Sequence, residues 1–294
     1  MNGSARAVGR GLLFISPWLA GFCGLTLGPA LLSAWYSLTD TTLLDPPVYT
    51  GLSNFRRMWS DSLFWIALRN TLVFAAMNSI GVTAGSLGVA VLLHRAPARV
   101  AALARAVIFL PTVVPVVTAC ACWMWVFNPR FGILNSALTA AGATGGPDWL
   151  GDSRFALASL GFMSVWVIGS PLLVAGAALR EVPRSLLEAA AIDGLGSGGR
   201  LWHVTLPAIS PALMFNGLMA LIWSLQLFGP PLIMTRGGPE HATLSYSMYV
   251  YLCAFSYGDM GYACALAWVQ LALTLALSAA VLVVGGRFVR YRTT

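Results

Sequence analysis

The sequence predicts an all-α integral membrane protein with six transmembrane helices. Three observations lead there. Of 294 residues, 58% are hydrophobic and 9% are charged, where a soluble domain carries about 25% charged residues. Six long runs contain no Asp, Glu, Lys or Arg, and about 20 apolar residues suffice to cross a ~30 Å hydrocarbon core as a helix. The arginines concentrate beside alternate gaps between those runs. Backbone polar groups in lipid must be satisfied within the segment, which makes each run a helix.

The first run extends from Leu12 to about Leu38, preceded by Arg6 and Arg10. A cleaved signal peptide has a core of about 7–15 apolar residues and a small-residue cleavage site. This run is longer, and we read it as a retained span. The others are Thr71–Leu93, Ala106–Phe127, Phe155–Leu179, Ala208–Met234 and Tyr262–Val284. Pro111, Pro115 and Pro171 fall inside runs and predict kinks. Most of the five cysteines sit within or beside apolar runs, where a small buried residue is the default. Cys120-Ala121-Cys122 has no His or carboxylate nearby, so no metal site is expected.

Orientation follows from the arginines. With the N-terminus in the cytoplasm, the inner segments hold Arg6, Arg10, Arg95, Arg99, Arg105, Arg180, Arg184, Arg200, Arg287, Arg290 and Arg292. The outer segments hold Arg56, Arg57, Arg69, Arg130, Arg154 and Arg236. The excess is inside, as the positive-inside rule requires. Gly51–Arg57, Pro147–Asp152 and Thr235–Pro239 then lie outside; their Gly-Pro content predicts turns, and Trp149 is expected to anchor at the membrane interface.

Between the fourth and fifth runs lies a polar, glycine-punctuated stretch from Val182 to Pro211. Pro183 is expected at the first position of a short helix, where its missing N–H is not needed. Leu186, Leu187, Ala190 and Ala191 give that helix one apolar face. Asp193-Gly194 should end it, because Gly accepts a left-handed cap. A second short helix is expected from Leu201, Trp202 and Val204. By pattern alone this is either an ordinary loop or a docking knob for a soluble partner.

No catalytic group emerges. His94, His203 and His241 are scattered over loops, without a Ser, Cys or Asp at a spacing that makes a nucleophile pair. The glycines at 194–199 lack the G-K-[ST] ending of a phosphate loop and follow no strand. No basic run is interleaved with aromatics, so a nucleic-acid partner is not expected. No Asp, Glu, Lys or Arg lies mid-span, which disfavours an ion-coupled carrier.

The stretch E-A-A-x-x-D-G with a downstream L-P, here Glu188, Ala189, Ala190, Asp193, Gly194, Leu206 and Pro207, is similar to the EAA motif of permease subunits in binding-protein-dependent ABC importers. The chain resembles the sugar branch, related to maltose and glycerol-3-phosphate permeases, over nearly its whole length. The resemblance implies a MetI/maltose-permease-like fold, with a cytoplasmic coupling helix between spans 4 and 5. It divides the chain into a cytoplasmic N-terminus (1–11), a six-helix permease domain (12–286, with the coupling loop at 183–207) and a cytoplasmic tail (287–294). Pro183, Leu186, Glu188, Ala189, Ala190, Asp193, Gly194 and Pro207 become the ATPase-coupling residues, Glu188 holding the loop's hinge to its own spans. The implied partners are a second homologous permease in a heterodimer, two ABC ATPase subunits that bind ATP and Mg, and an extracytoplasmic sugar-binding protein. The implied place is the bacterial cytoplasmic (inner) membrane, with both termini cytoplasmic; this subunit is then a transporter component and not itself an enzyme.

Polar and aromatic side chains inside the spans have two open readings. Ser, Asn and Gln commonly supply hydrogen bonds between helices in membranes. The other reading is a sugar site built from Ser164, Trp166, Ser170, Trp223, Ser224, Gln226 and Phe228, with aromatic faces and an amide. Asn216 is polar in the same span. Ser224 and Gln226, two apart, cannot share a face of a straight helix, although Gly229-Pro230-Pro231 should distort it. Leu227 is apolar where the maltose-type pattern is amide-rich. Two rivals stand beside the sugar importer: a membrane scaffold or assembly protein without a substrate path, and a permease for glycerol-phosphate-type or other non-sugar substrates.

Overall fold

A computed structural model describes residues 14–42 and 45–288. Arg6, Arg10, Arg290, Arg292, the 1–11 segment and most of 287–294 lie outside the described residues. The chain forms two compact units, Met1–Asp61 with Val250–Val269, and Ser62–Tyr249 with Gln270–Thr294. Among the described residues, four helices are long and apolar enough to cross a membrane, or six if each of two bent pairs is one span.

In the first unit, α1 (Phe14–Tyr36), long and apolar enough to cross a membrane, carries exposed Trp18, Leu25 and Leu31. It slips to π spacing over Cys23–Leu27, where the Gly28 N–H reaches the Cys23 carbonyl. Pro29 has no N–H for the next α-type bond, and such slips occur where the ladder is interrupted. A short hairpin follows, β1 (Thr39–Asp40) antiparallel to β2 (Val48–Tyr49). In α2 (Ser53–Ser60), the Asn54 amide donates to the Ser37 and Thr39 carbonyls. The Gly51–Arg57 stretch therefore fastens the hairpin. Arg57 pairs with Asp259 and lies 4.3 Å over the Tyr262 ring. The Tyr262 hydroxyl donates to Asp61 at 2.6 Å. Asp259 also accepts the Tyr262 N–H at 3.1 Å, a side-chain cap on the helix beginning at Met260.

The second unit is organised by α3 (Ser62–Arg95), 34 residues and about 50 Å long. Ala67, Thr71, Phe74, Asn78, Val82, Ser86 and Ala90 are buried along it, three or four residues apart, which places them on one face. The helix begins nine residues before the expected run because Ser62–Asn70, though it carries Arg69, has no helix breaker. The third expected span is not straight. α4 (Ala98–Phe109) tightens to 3₁₀ geometry over Leu110–Val113, and α5 (Val116–Val126) leaves at 105°. Pro115 forces Val114 into extended backbone, ψ 126°, as a residue before proline requires. α6 (Ile133–Ala140) follows. The run expected as the fourth span divides into α7 (Ala156–Val165) and α8 (Gly169–Glu181), bent by 50°. The Pro171 ring would clash with the carbonyl four residues back, and the break at 166–168 removes that clash.

Trp149 is fixed by its own neighbours. Its indole N–H donates to Asn135 at 2.7 Å, and its ring packs near Phe127 and Phe155. The loop segment 147–152 is thereby tied to α6 from within.

The fifth span also differs from expectation. After α9 (Arg184–Ile192), one helix, α10, runs from Ser197 to Leu225, 29 residues, with π spacing over Leu201–Thr205. The run expected to reach Met234 stops nine residues earlier. Gln270 donates to the Leu225 carbonyl at 2.8 Å, satisfying one of the orphan acceptors at that helix end. Thr235–Pro239 turns as expected, with Arg236 and Gly237 at φ 51° and 81°. After α11 (Tyr246–Tyr251), α12 (Met260–Phe288) closes the described chain.

Candidate functional site: a transmembrane cavity and the loop below it

Within the second unit a cavity of about 700 Å³ opens between α3, the α4–α5 break, the α7–α8 break and α10. Helical spacing explains which side chains meet there. On α3, Phe74, Asn78 and Val82 are four apart; on α10, Asn216, Ala220 and Ser224 are four apart, and all six line the cavity. Residues at i and i+4 lie above one another on one helix face. The prolines supply the third wall: Pro111 and Thr112 line it where α4 tightens, and Pro171 lines it after the break before α8.

Of the residues expected to bind substrate, Ser164, Ser170, Trp223 and Ser224 line this cavity. Trp166, Gln226 and Phe228 do not. Trp166 packs edge-on against Trp123, ring centres 5.8 Å apart. Gln226 is the C-cap of α10 and is exposed. The expected distortion is there, since the helix ends at Leu225 and residues 227 and 228 are irregular, but it leaves Gln226 exposed and outside the lining. Phe228 is half-buried and outside the lining.

Two polar residues were missed, Asn78 and Thr112. Asn78 is an amide deep in the second apolar run, and that isolation was the available signal. Its Nδ2 donates to the Ser224 hydroxyl at 2.8 Å, while Ser224 donates to the Ala220 carbonyl at 2.6 Å. Asn216 donates to the Pro171 carbonyl, in the first turn of α8, at 2.9 Å. At Asn78, Asn216 and Ser224 the interhelical hydrogen-bond reading and the cavity-lining reading therefore describe the same residues.

The loop below is compact. Pro183 caps α9 with extended backbone, ψ 133°, and the helix starts one residue later than expected. Its end is a glycine-terminated cap. Gly194 takes φ +83°; its N–H reaches the Ala191 carbonyl and the Leu195 N–H reaches the Ala190 carbonyl. That pair of bonds is the Schellman arrangement, which needs a left-handed residue. The expected second short helix does not stand apart, because Ser197–Arg200 continues through the π turn into α10. Pro207 lies in the first turn of the α-helical part, where its missing N–H costs no bond that the π turn has not already displaced.

Ala190 is buried and Leu187 half-buried, whereas Leu186, Glu188, Ala189 and Asp193 are exposed. Ile192 is 87% exposed and Trp202 70% exposed. Large apolar groups turned outward beside a polar loop mark a contact surface. Glu188 makes no ion pair among the described residues, so the geometry lends no support to its holding the hinge to its own spans.

Residues 77–290 match the family described as binding-protein-dependent transport system inner membrane component. The chain is 35% identical over 268 residues to the probable ABC transporter permease protein YesP of Bacillus subtilis (strain 168), covering 90% of this chain and 86% of that one. It is 32% identical over 275 residues to the lactose transport system permease protein LacF of Rhizobium radiobacter, with 92% and 91% covered. Against the diacetylchitobiose uptake system permease protein NgcF of Streptomyces coelicolor the identity is 32% over 286 residues, with 93% and 81% covered. A crystal structure of a bacterial alginate ABC transporter, in complex with an alginate pentasaccharide-bound periplasmic protein, contains a chain of similar fold. Its TM-score is 0.84 at 16% identity, with 98% of this chain and 99% of that chain covered.

Proposed function

Because this chain belongs to the family of binding-protein-dependent transport system inner membrane components, we propose that it is one permease subunit of an ABC importer that moves a carbohydrate, an oligosaccharide or amino sugar, across the cytoplasmic membrane. The observation that carries this reading is α10. One continuous helix begins beside the loop at Ser197 and ends at Leu225, with Asn216 and Ser224 on the cavity wall. A helix of 29 residues is about 43 Å long, so a push at its foot is delivered to the cavity as rigid-body motion. The relatives named for lactose and diacetylchitobiose support a sugar as the cargo.

In this mechanism two ATPase subunits bind ATP and Mg and close on each other. The exposed face of α9, with Leu186, Glu188, Ala189 and Ile192, is what they grip from the cytoplasm. Pro183, Asp193 and Gly194 give the grip its shape, and Pro207 marks where the loop joins the α-helical span. The cavity opens outward as the loop moves, receives sugar from an extracytoplasmic binding protein, and reopens inward after hydrolysis. A second, homologous permease completes the pathway as a heterodimer. Both termini and the loop are cytoplasmic.

The test is reconstitution in vesicles with the partner permease, the ATPases and the binding protein. ATP-dependent sugar uptake is the expected result. A Gly194→Arg complex that assembles but hydrolyses ATP at the full sugar-stimulated rate would refute the role of the loop. Uptake unaffected by ATP depletion would refute the importer reading.

A further inference from the structure

Resting on the reading that the loop faces the cytoplasm, we infer a second site in this chain: a pocket at the foot of α10 that holds the phosphate headgroup of an acidic phospholipid of the inner leaflet. The pocket has a volume of about 270 Å³, near the roughly 300 Å³ at which small-ligand pockets begin, which is room for a headgroup and not for a whole lipid. His94 and Arg95 line it from the end of α3, and Ser197 and Arg200 from the start of α10. Val91, Leu179 and Leu187 are apolar members of the same lining.

The charge calls for an anion. Arg95 is exposed and Arg200 half-buried, and neither pairs with a carboxylate among the described residues. Among the described residues no Asp or Glu lines the pocket; Glu181, Glu188 and Asp193 of the adjoining loop lie outside it. The Arg200 Nε is enclosed and has no hydrogen-bond partner among the described residues, so part of this guanidinium has given up water without a counter-charge, which is costly. A ligand does not reach that Nε. It meets the four N–H groups on the two terminal nitrogens, and an anion there compensates the whole delocalised cation. Ser197 opens α10 with no acidic residue in the first turn, so the pocket also lies at the positive end of a long helix dipole.

Position decides between a lipid and a soluble anion. α3 has 34 residues, well beyond the roughly 20 that cross the hydrocarbon core, and the pocket draws on its last turn, where the apolar run ends. Leu92, next to that turn, is 70% exposed and gives an acyl chain an apolar surface. Basic pockets between helices at the cytoplasmic face suit anionic headgroups. Because the lining joins the ends of α3 and α8 to α9 and α10, a bound headgroup ties the loop to the spans above it.

The test uses the assembled importer in nanodiscs of phosphatidylcholine with increasing phosphatidylglycerol, at equal ionic strength. The readouts are the phosphatidylglycerol retained per complex, counted by native mass spectrometry, and sugar-stimulated ATP hydrolysis. Phosphatidylglycerol is expected to be retained over phosphatidylcholine, and inorganic phosphate is expected not to displace it. Arg95→Gln and Arg200→Gln should each weaken retention about fivefold, and together about thirtyfold, as basic residues near a membrane surface do. Arg130→Gln removes an exposed charge far along the chain, between α5 and α6, and should change nothing. If the Arg200→Gln complex fails to assemble, Arg95→Gln carries the test. Equal retention of the two lipids, an equal loss in Arg130→Gln, or displacement by inorganic phosphate overturns the inference. So does retention by the permease pair that disappears once the ATPase subunits join, because the pocket is then a socket for a partner's carboxylate. Retention with no sugar-stimulated hydrolysis in any disc leaves the site standing and removes the importer reading; sugar-stimulated hydrolysis with no lipid preference does the reverse.

Discussion

Gly194 holds φ +83°, and a Cβ built there meets nothing within 4 Å. Substitution is therefore sterically open and conformationally expensive, which separates two explanations that usually run together. An ordinary L-residue in the left-handed region costs about 1–2 kcal/mol, and asparagine less. If the turn's backbone is what matters, the damage follows Asn < Ala < Val, although Asn is larger than Ala. If bulk against a docked partner matters, the order follows size, Ala < Asn < Val. About 1 kcal/mol at Ala makes opening of the turn roughly fivefold more populated, and about 2 kcal/mol at Val roughly thirtyfold. The first readout is hydrogen exchange at the Gly194 and Leu195 amides, whose bonds to Ala191 and Ala190 close the cap; the second is sugar-stimulated ATP hydrolysis of the reconstituted complex. Exchange protection and ATP hydrolysis should decline in the same order. Asn damaging either readout more than Ala would show that the backbone argument is wrong.

Gly169 makes the opposite prediction. A Cβ there would lie 2.9 Å from the Phe109 Cα and 2.8 Å from the Thr112 Cγ2, so α8 can approach the end of α4 only through glycine; Gly169→Ala should destabilise by about 1–3 kcal/mol, seen as a lower melting temperature of the purified complex. Tyr262→Phe removes a 2.6 Å bond to Asp61 from a fully buried ring and should cost about 1.5–3 kcal/mol, measured the same way. On the loop, Arg154 grips Asp152 through Nη2 at 2.7 Å and through its own backbone N–H at 2.9 Å, which lowers the Asp152 pKa to about 2. The sign is that of a depressed acid: the interaction is fully present above the ordinary carboxylate pKa and is lost as pH falls towards about 2. Carbon-detected titration of labelled aspartate should show that midpoint, and Arg154→Ala should raise it towards about 3.9.

What was legible before folding depended on local physics. Apolar runs free of charge announced the helices, because lipid leaves the backbone no other way to satisfy itself. Asp193-Gly194 announced a cap because only the four residues around it decide the bond pattern. Pro115 announced a kink, but the 105° bend followed from where Val114 then had to point. Elsewhere local reasoning misjudged extent. Nothing from Leu201 to Thr205 stops a helix, and the expected second short helix fused with the span above it.

The candidate site divides the same way. Ser164, Ser170, Trp223 and Ser224 were chosen as polar or aromatic groups in apolar runs, and they line one cavity. Gln226 and Trp166 met the same criterion and lie off the lining, one as the exposed C-cap where α10 ends and the other in an edge contact with Trp123. Asn78 was passed over because its meaning lies 146 residues away, at Ser224. The sequence by itself determined that this chain is a bundle of apolar helices with a glycine-capped loop, since solvent and backbone chemistry act residue by residue. Which faces of those helices meet, and hence which of many similar polar groups line one cavity, is a property of helix phase and crossing, and only the tertiary structure decided it.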